Sequence, residues 1–353
     1  MGMQTSVQSK FTEACKFNLQ LPNEAKVLLF HDNTSESLVN ILKPAIQESR
    51  FKFDFFSLGT GRPYKTIPDE LKNKVEKGVD AVIGFFNYDD HDDWSIAETP
   101  FRMDIIGLMQ SHPIRYAHAA GVTLDMLQNG SFQCDYESMA ESGKRLLKLL
   151  DDARVIHVTS PRGTDFWLNL GSRMKFETDA VIVPPGIETP GKTGNWPPGE
   201  VWLEPQETVH GVGSVPVRIN SHGRIVCDMC VGGITATVNP NQPITIEVGE
   251  DGWLKSYDSP DARFRGISDA WTVDAARWNV QPYTQELGIG LNDRARVGTG
   301  NMLEDEKAKG TCHIAIGSYR SHTDFLIDRP AIDVAYSEGS RKSIMIDGKL
   351  QMG

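Results

Sequence analysis

Three short apolar runs, KVLLFHD at 26–32, FKFDFFSL at 51–58 and DAVIGFF at 80–86, are separated by stretches of helical period, and this alternation constrains the fold most. SESLVNILKPAIQES at 35–49 reads as a helix interrupted by Pro44, and IPDELKNKVEKG at 67–78 as a helix closed by Gly78. Strand and helix in strict alternation predict parallel pairing, because each crossover helix returns the chain to the same end of the sheet. After a mixed stretch, DYESMAESGKRLLKLLDDA at 135–153 reads as another helix and RVIHVTS at 154–160 as a strand. Residues 1–160 are therefore expected to form an α/β domain around a parallel sheet.

Past about Pro161 the texture changes. Gly, Pro and Asn multiply, and strand-like runs (GSVPVRIN, GRIVCDMCVGGI, ITIEVGEDGWLKSY, CHIAIG) follow one another with little helix between them. Only SDAWTVDAARWNV at 268–280 and NMLEDEKAK at 301–309 have a helical pattern. Residues 161–353 are expected to form a mainly antiparallel β domain. GTGRPY at Gly59 and GVGSVP at Gly211 lack the third glycine and the strand–turn–helix setting of a dinucleotide fingerprint.

Charge narrows the partners. Asp and Glu number 47 against 36 Lys and Arg, a net charge of -11, and no basic run offers phosphates a surface, so nucleic acid is not an expected partner. The N-terminal MGMQTSVQSKFTEA has no apolar core of signal-peptide type, and no run approaches the roughly 18 apolar residues of a membrane span. A cytoplasmic protein without membrane contact is the expectation. Five cysteines, an odd and scattered set, read as reduced structural thiols, and the Cys227–Cys230 pair lacks the second CxxC of a zinc site.

Chemistry concentrates near the C-terminus. On a CHIAIG strand His313 shares a face with Ala315 and Gly317, and two residues apart on SHTD both His322 and Asp324 point to one side. Imidazole and carboxylate are donors that Zn²⁺, Mn²⁺, Co²⁺ or Fe²⁺ accept. On spacing alone, a surface hairpin turning from Gly317 to Ser321 is equally open. Glu286 precedes a glycine-rich apolar run and Glu200 lies between a Pro-Pro-Gly turn and VWL, where a carboxylate either faces solvent or is paired. YDDHDDW at 88–94 reads as a solvated acidic loop, and the remaining histidines as satisfied or exposed.

PPGEVWLEP, ELGIGLN, TGNMLEDEKAKGTCHIAIG and SHTD resemble, in that order, the signature segments of the aminopeptidase T/aminopeptidase S (thermophilic aminopeptidase) metallopeptidase family. RYAHAAGVTLDML at 115–127 and the closing SIMIDGKLQMG are similar to further segments of it, so the likeness covers most of the chain. The resemblance implies that Glu200, Glu286, His313, His322 and Asp324 hold one or two divalent metal ions. It also implies that Tyr319 donates to a developing oxyanion, and that a homodimer acts on a peptide or small-molecule substrate. Glu306, with Lys307, becomes a candidate for proton transfer or support of the ligands, against the plainer reading of an exposed charged helix.

The chain departs from this family in one place. Nine positions separate His313 from His322, where the family's peptidases carry a long Gly-, Asn- and Ser-rich insertion that lines the substrate cavity. Relatives of the same fold cleave a dihydroxypyridine ring with iron held by His, His and Asp, or hydrolyse an amino group from a nitroaromatic ring. Glu286 stands where that dioxygenase has a histidine, which favours hydrolysis. The expectation is a metal-dependent hydrolase acting on a C–N bond. A metal enzyme for substituted aromatic or pyridine rings and a non-catalytic small-molecule binder are the alternatives.

Overall fold

A computed structural model of the chain describes residues 2–351 except 34, 87–91, 171–173, 183–191, 206–218, 233, 279–280 and 319–320. It divides into two units whose segments interleave along the chain: Met1–Glu141, Thr178–Gly199 and Asn292–Ala295 in the first, and Ser142–Glu177, Glu200–Leu291 and Arg296–Gly353 in the second.

The first unit is built on a five-stranded parallel sheet ordered Lys52–Ser57, Lys26–His31, Ala81–Phe86, Arg115–Ala120, Lys192–Asn195. Ala81–Phe86 and Arg115–Ala120 are buried along their whole length, as strands covered on both faces must be, and this is why Ala81–Phe86 reads as an unbroken apolar run, while Arg115–Ala120 buries Arg115 and His118 as well. The Glu36–Glu48 helix runs through Pro44 where the sequence predicts an interruption. A proline removes one backbone donor, and burial of Val39, Leu42 and Ile46 outweighs that loss. Trp196 is fully buried, donates to Asn18 Oδ1 at 2.7 Å and packs edge-on against Phe11 and Phe132.

The second unit carries two sheets. One has eight strands, running from Leu254–Asp258 through Ile244–Val248, Asn220–Cys227, Asp165–Asn169, Ala153–Thr159, Ala331–Tyr336 and Arg341–Ile346 to Lys349–Leu350. The Ala153–Thr159 strand, which the sequence pattern assigns to the α/β half, pairs antiparallel here with Asp165–Asn169 and Ala331–Tyr336. A tight turn at 160–164 makes the hairpin, and along Val155–Thr159 the buried Ile156 and Val158 alternate with partly exposed residues, as in a strand buried on one face. The other sheet has seven strands ordered Ile234–Thr237, Cys230–Val231, Ser321–Ile327, Cys312–Ser318, Tyr283–Gly290, Glu200–Pro205, Met174–Thr178. Its central pairs are antiparallel.

Two further readings are corrected. Within YDDHDDW, residues 88–91 lie outside the described residues, and Asp92 opens a helix that continues to Gln110, so the stretch is not wholly loop. NMLEDEKAK forms only a single turn, Met302–Asp305, capped by the Asn301 carboxamide accepting from Leu303 N at 3.1 Å. Among the described residues, no helix is long and apolar enough to cross a membrane.

Candidate metal centre

One face of the seven-stranded sheet collects the acidic and imidazole groups, all within the second unit. Glu286 on Tyr283–Gly290 and Asp324 on Ser321–Ile327 both lie in register with Ala315 of the strand between them. One row along, His313 is opposite Gly288, and a further step brings Glu200 opposite Gly290. Because side chains alternate across a strand, residues 286, 288 and 290 share this face with 313, 315 and 317 and with 322 and 324. The positions between the donors are Gly or Ala.

Those small residues are required by space. A Cβ on Gly288 would overlap the His313 ring, so the imidazole lies where a side chain at 288 would stand. On Gly290 it would strike the backbone carbonyls of Glu306 and Ala308, so this glycine lets the 306–308 segment settle onto the sheet. A bulge between Thr284 and Glu286 ends the regular register beside Glu286.

The segment above the sheet is locked from within. Asp305 accepts from Thr299 Oγ1 at 2.5 Å, from Thr299 N at 3.0 Å and from Gly300 N at 3.2 Å. Glu304 accepts from the Arg296 backbone and guanidinium, both at 3.2 Å. Glu306 and Lys307 are delivered to the centre as a result. Lys307 is fully buried; its ammonium contacts a Glu200 oxygen and lies 3.0 Å from Glu306 Oε1. The exposed-helix reading of Glu306 and Lys307 is thereby excluded.

Among the described residues, two sets of ligand-type atoms converge within 4.8 Å, Glu286 with His313 and Asp324, and Glu200 with Glu306 and His313. His313 Nε2 donates to Glu286 Oε1 at 3.2 Å and lies 4.0 Å from Asp324 Oδ1. His313 belongs to both sets. His322 shares the Asp324 face and its charge acts on Glu286, but it is exposed and joins neither set. Tyr319 lies outside the described residues.

Electrostatics follow from crowding acids around the buried His313 and Lys307. Burial opposes charging of His313, yet its hydrogen bond to Glu286 and the charges of Asp324, Glu286 and Glu306 raise its pKa from 6.5 to about 10. Burial would lift Glu286, but the His313 hydrogen bond and charge, with His322 and Lys307, hold its carboxyl below the usual range. Glu306 goes the other way, because burial raises its carboxyl against the pull of Lys307 and His313. Among the described residues, the carboxylates of Glu200, Glu286, Glu306 and Asp324 thus face the Lys307 ammonium and the His313 imidazole, with His322 acting on Glu286 from an exposed position, and the excess negative charge together with an oxygen-and-imidazole donor set fits a divalent cation.

Elsewhere the sequence reading of the other groups agrees with their surroundings. All five cysteines are buried free thiols; Cys227 Sγ donates to Cys230 O and Cys230 Sγ to Met302 Sδ. His31 pairs with the Asp32 carbonyl, His118 with Tyr116 and Arg102, and His157 with Asp165. His210 lies outside the described residues.

Solved structures of the same architecture include wild-type AmpT, aminopeptidase T, from Thermus thermophilus, with a TM-score of 0.71 over 99% of both chains at 13% identity. Another is 2,5-dihydroxypyridine dioxygenase from Pseudomonas putida, with a TM-score of 0.67 over 99% of this chain and 97% of that one at 16% identity. This chain has the aminopeptidase T-like fold. In sequence, this chain is 26% identical over 220 residues to the 2,5-dihydroxypyridine 5,6-dioxygenase of Pseudomonas putida, a match spanning 55% of this chain and 57% of that protein. No family model matches the sequence. The fold and the relatives that share it are those the sequence motifs point to.

What sequence reasoning missed is the position of Lys307 between two acids. A signal was present: ELGIG and HIAIG place only Gly or Ala at the alternate positions that share a face with the donors, which marks a face kept open for something to lie on it.

Proposed function

We propose that the chain is a metal-dependent hydrolase that cleaves a C–N bond at a peptide N-terminus or in a small amide or amine, with its ligands drawn from Glu200, Glu286, His313, His322 and Asp324. The observation that carries this reading is the pairing of a carboxylate-and-imidazole face with a buried, proton-avid Glu306 beside a buried ammonium. A divalent ion held by such donors supplies Lewis acidity, which acidifies a water molecule and polarises a carbonyl oxygen. Glu306, whose carboxyl burial has raised, takes the proton from the attacking water and returns it to the departing amine. Lys307 holds the Glu306 carboxylate in place and offsets charge that would otherwise hinder the approach of an electron-rich substrate. Ala315 and Gly317, the small residues on the same face that His313 does not cover, leave room above the sheet for a substrate.

The sequence relative favours a second reading, oxidative cleavage of a hydroxylated pyridine or aromatic ring. One pair of assays separates them. Metal-loaded protein is given amino-acid amides and short peptides without oxygen, then 2,5-dihydroxypyridine with Fe²⁺ in air. Amine release in the first supports hydrolysis. Oxygen uptake in the second, with no amine release in the first, replaces it by the oxygenase reading.

A further inference from the structure

Both acid sets at the centre have a cation to satisfy, and one of them already contains it. Glu200 and Glu306 converge with His313, yet the Lys307 ammonium lies in contact with a Glu200 oxygen and 3.0 Å from Glu306 Oε1. We propose that Lys307 is the resident cation of the Glu200–Glu306 subsite, so that the centre takes one divalent ion per chain, on Glu286, His313 and Asp324, and not a pair. This rests on the metal-dependent reading above and narrows it.

The geometry argues for this on three counts. Lys307 is fully buried, and a buried ammonium persists only where acids surround it. It is placed by covalent and packing constraints: the Asn301-capped turn, the Asp305 hydrogen bonds and the close seating of residues 306–308 over Gly290 leave its stem little freedom to swing away. His313 belongs to both acid sets, but its Nε2 is directed at Glu286 and Asp324, which assigns the imidazole to the set without the lysine. A divalent ion entering the Glu200–Glu306 set would be pressed against a like charge that cannot withdraw into water.

Consequences follow for each acid. Glu286 and Asp324 are ligands, whereas Glu200 is a positioning residue that acts through Lys307. A single ion leaves Glu306 as a proton carrier in place of a second-ion ligand, in keeping with its raised carboxyl. This is how the chain would reach a mononuclear centre with the acids of a dinuclear one still in place.

The test titrates chelator-stripped, full-length protein with Mn²⁺, a hard ion that avoids the buried thiols, and reads bound metal per chain together with its electron paramagnetic resonance spectrum. Wild type is expected to bind one Mn²⁺ per chain with an uncoupled mononuclear spectrum. Glu200→Gln is expected to keep that one ion, and Glu286→Gln to lose it with at least a tenfold rise in dissociation constant. Lys307→Met, nearly the same length but uncharged, is expected to bind a second Mn²⁺ and to give an exchange-coupled spectrum. Two ions bound by wild type, or loss of the single ion in Glu200→Gln, would overturn the proposal and leave the metal-dependent reading standing. No bound ion in wild type would remove both. If Lys307→Met does not fold, the wild-type stoichiometry and the Glu200→Gln titration still decide.

Discussion

His313 is buried among acids that keep it protonated, so a metal must displace a proton to use it. Its pKa rises from 6.5 to about 10 on folding, so the stabilisation it brings to the metal-free protein is complete below 6.5 and is lost as pH climbs through about 10. Thermal midpoints of the metal-free protein should therefore fall between about pH 7 and 10, and His313→Gln should flatten that decline. Over the same window metal affinity should rise with pH, since fewer chains carry the competing proton. Glu306→Gln should lower turnover by about 10²–10⁴ while metal content stays unchanged; normal turnover would remove Glu306 from the chemistry. Gly288→Ala pushes a methyl into the His313 ring and should cost about 1–3 kcal/mol in unfolding free energy, with weaker metal binding in calorimetry. Of these residues, Glu200, Glu286, Glu306, His313 and Asp324 were legible in the sequence as types in ordered motifs. The seat of Lys307 was not, although Lys307 stood beside Glu306 among the candidates, because nothing local tells a lysine on an exposed turn from one pressed between two acids.

At the scale of elements, the centre depends on a segment that is barely secondary structure. Residues 299–308 hold one helical turn, and their shape comes from Asp305 accepting three hydrogen bonds and Glu304 accepting from Arg296. Asp305→Ala strands those donors and should destabilise the protein by about 1–3 kcal/mol, read from denaturant midpoints. It should also weaken Glu306-dependent turnover, because the turn that delivers Glu306 loosens. Strands of alternating pattern at the centre were readable, since period two fixes which residues share a face. Their neighbours were not: Glu200 meets Gly290 through pairing of strands far apart in sequence, and the bulge at Gln285 leaves no compositional trace. The Lys192–Asn195 strand, KTGN, joins a parallel sheet with no apolar residue of its own, so periodicity passes over it. For Ala153–Thr159 the strand was legible but its sheet was not, because only the short turn after it decides antiparallel pairing.

For the whole molecule, the parallel sheet of the first half and the antiparallel sheets of the second were readable from the change in texture near Pro161, and the solved relatives share that architecture. The interleaving of segments between the two units was not, because a contribution as small as Asn292–Ala295 is decided by tertiary contact alone. Architecture does not choose among the chemistries its relatives perform. That choice rests on which groups converge on one face of the seven-stranded sheet, and its first requirement is that a cation binds there. Crystals of the protein soaked in Mn²⁺ test this directly by anomalous scattering. The account predicts one strong peak bounded by the Glu286 and Asp324 carboxylates and the His313 ring, absent in Asp324→Asn; a map with no peak on that face, in crystals that bind Mn²⁺ elsewhere, would contradict it.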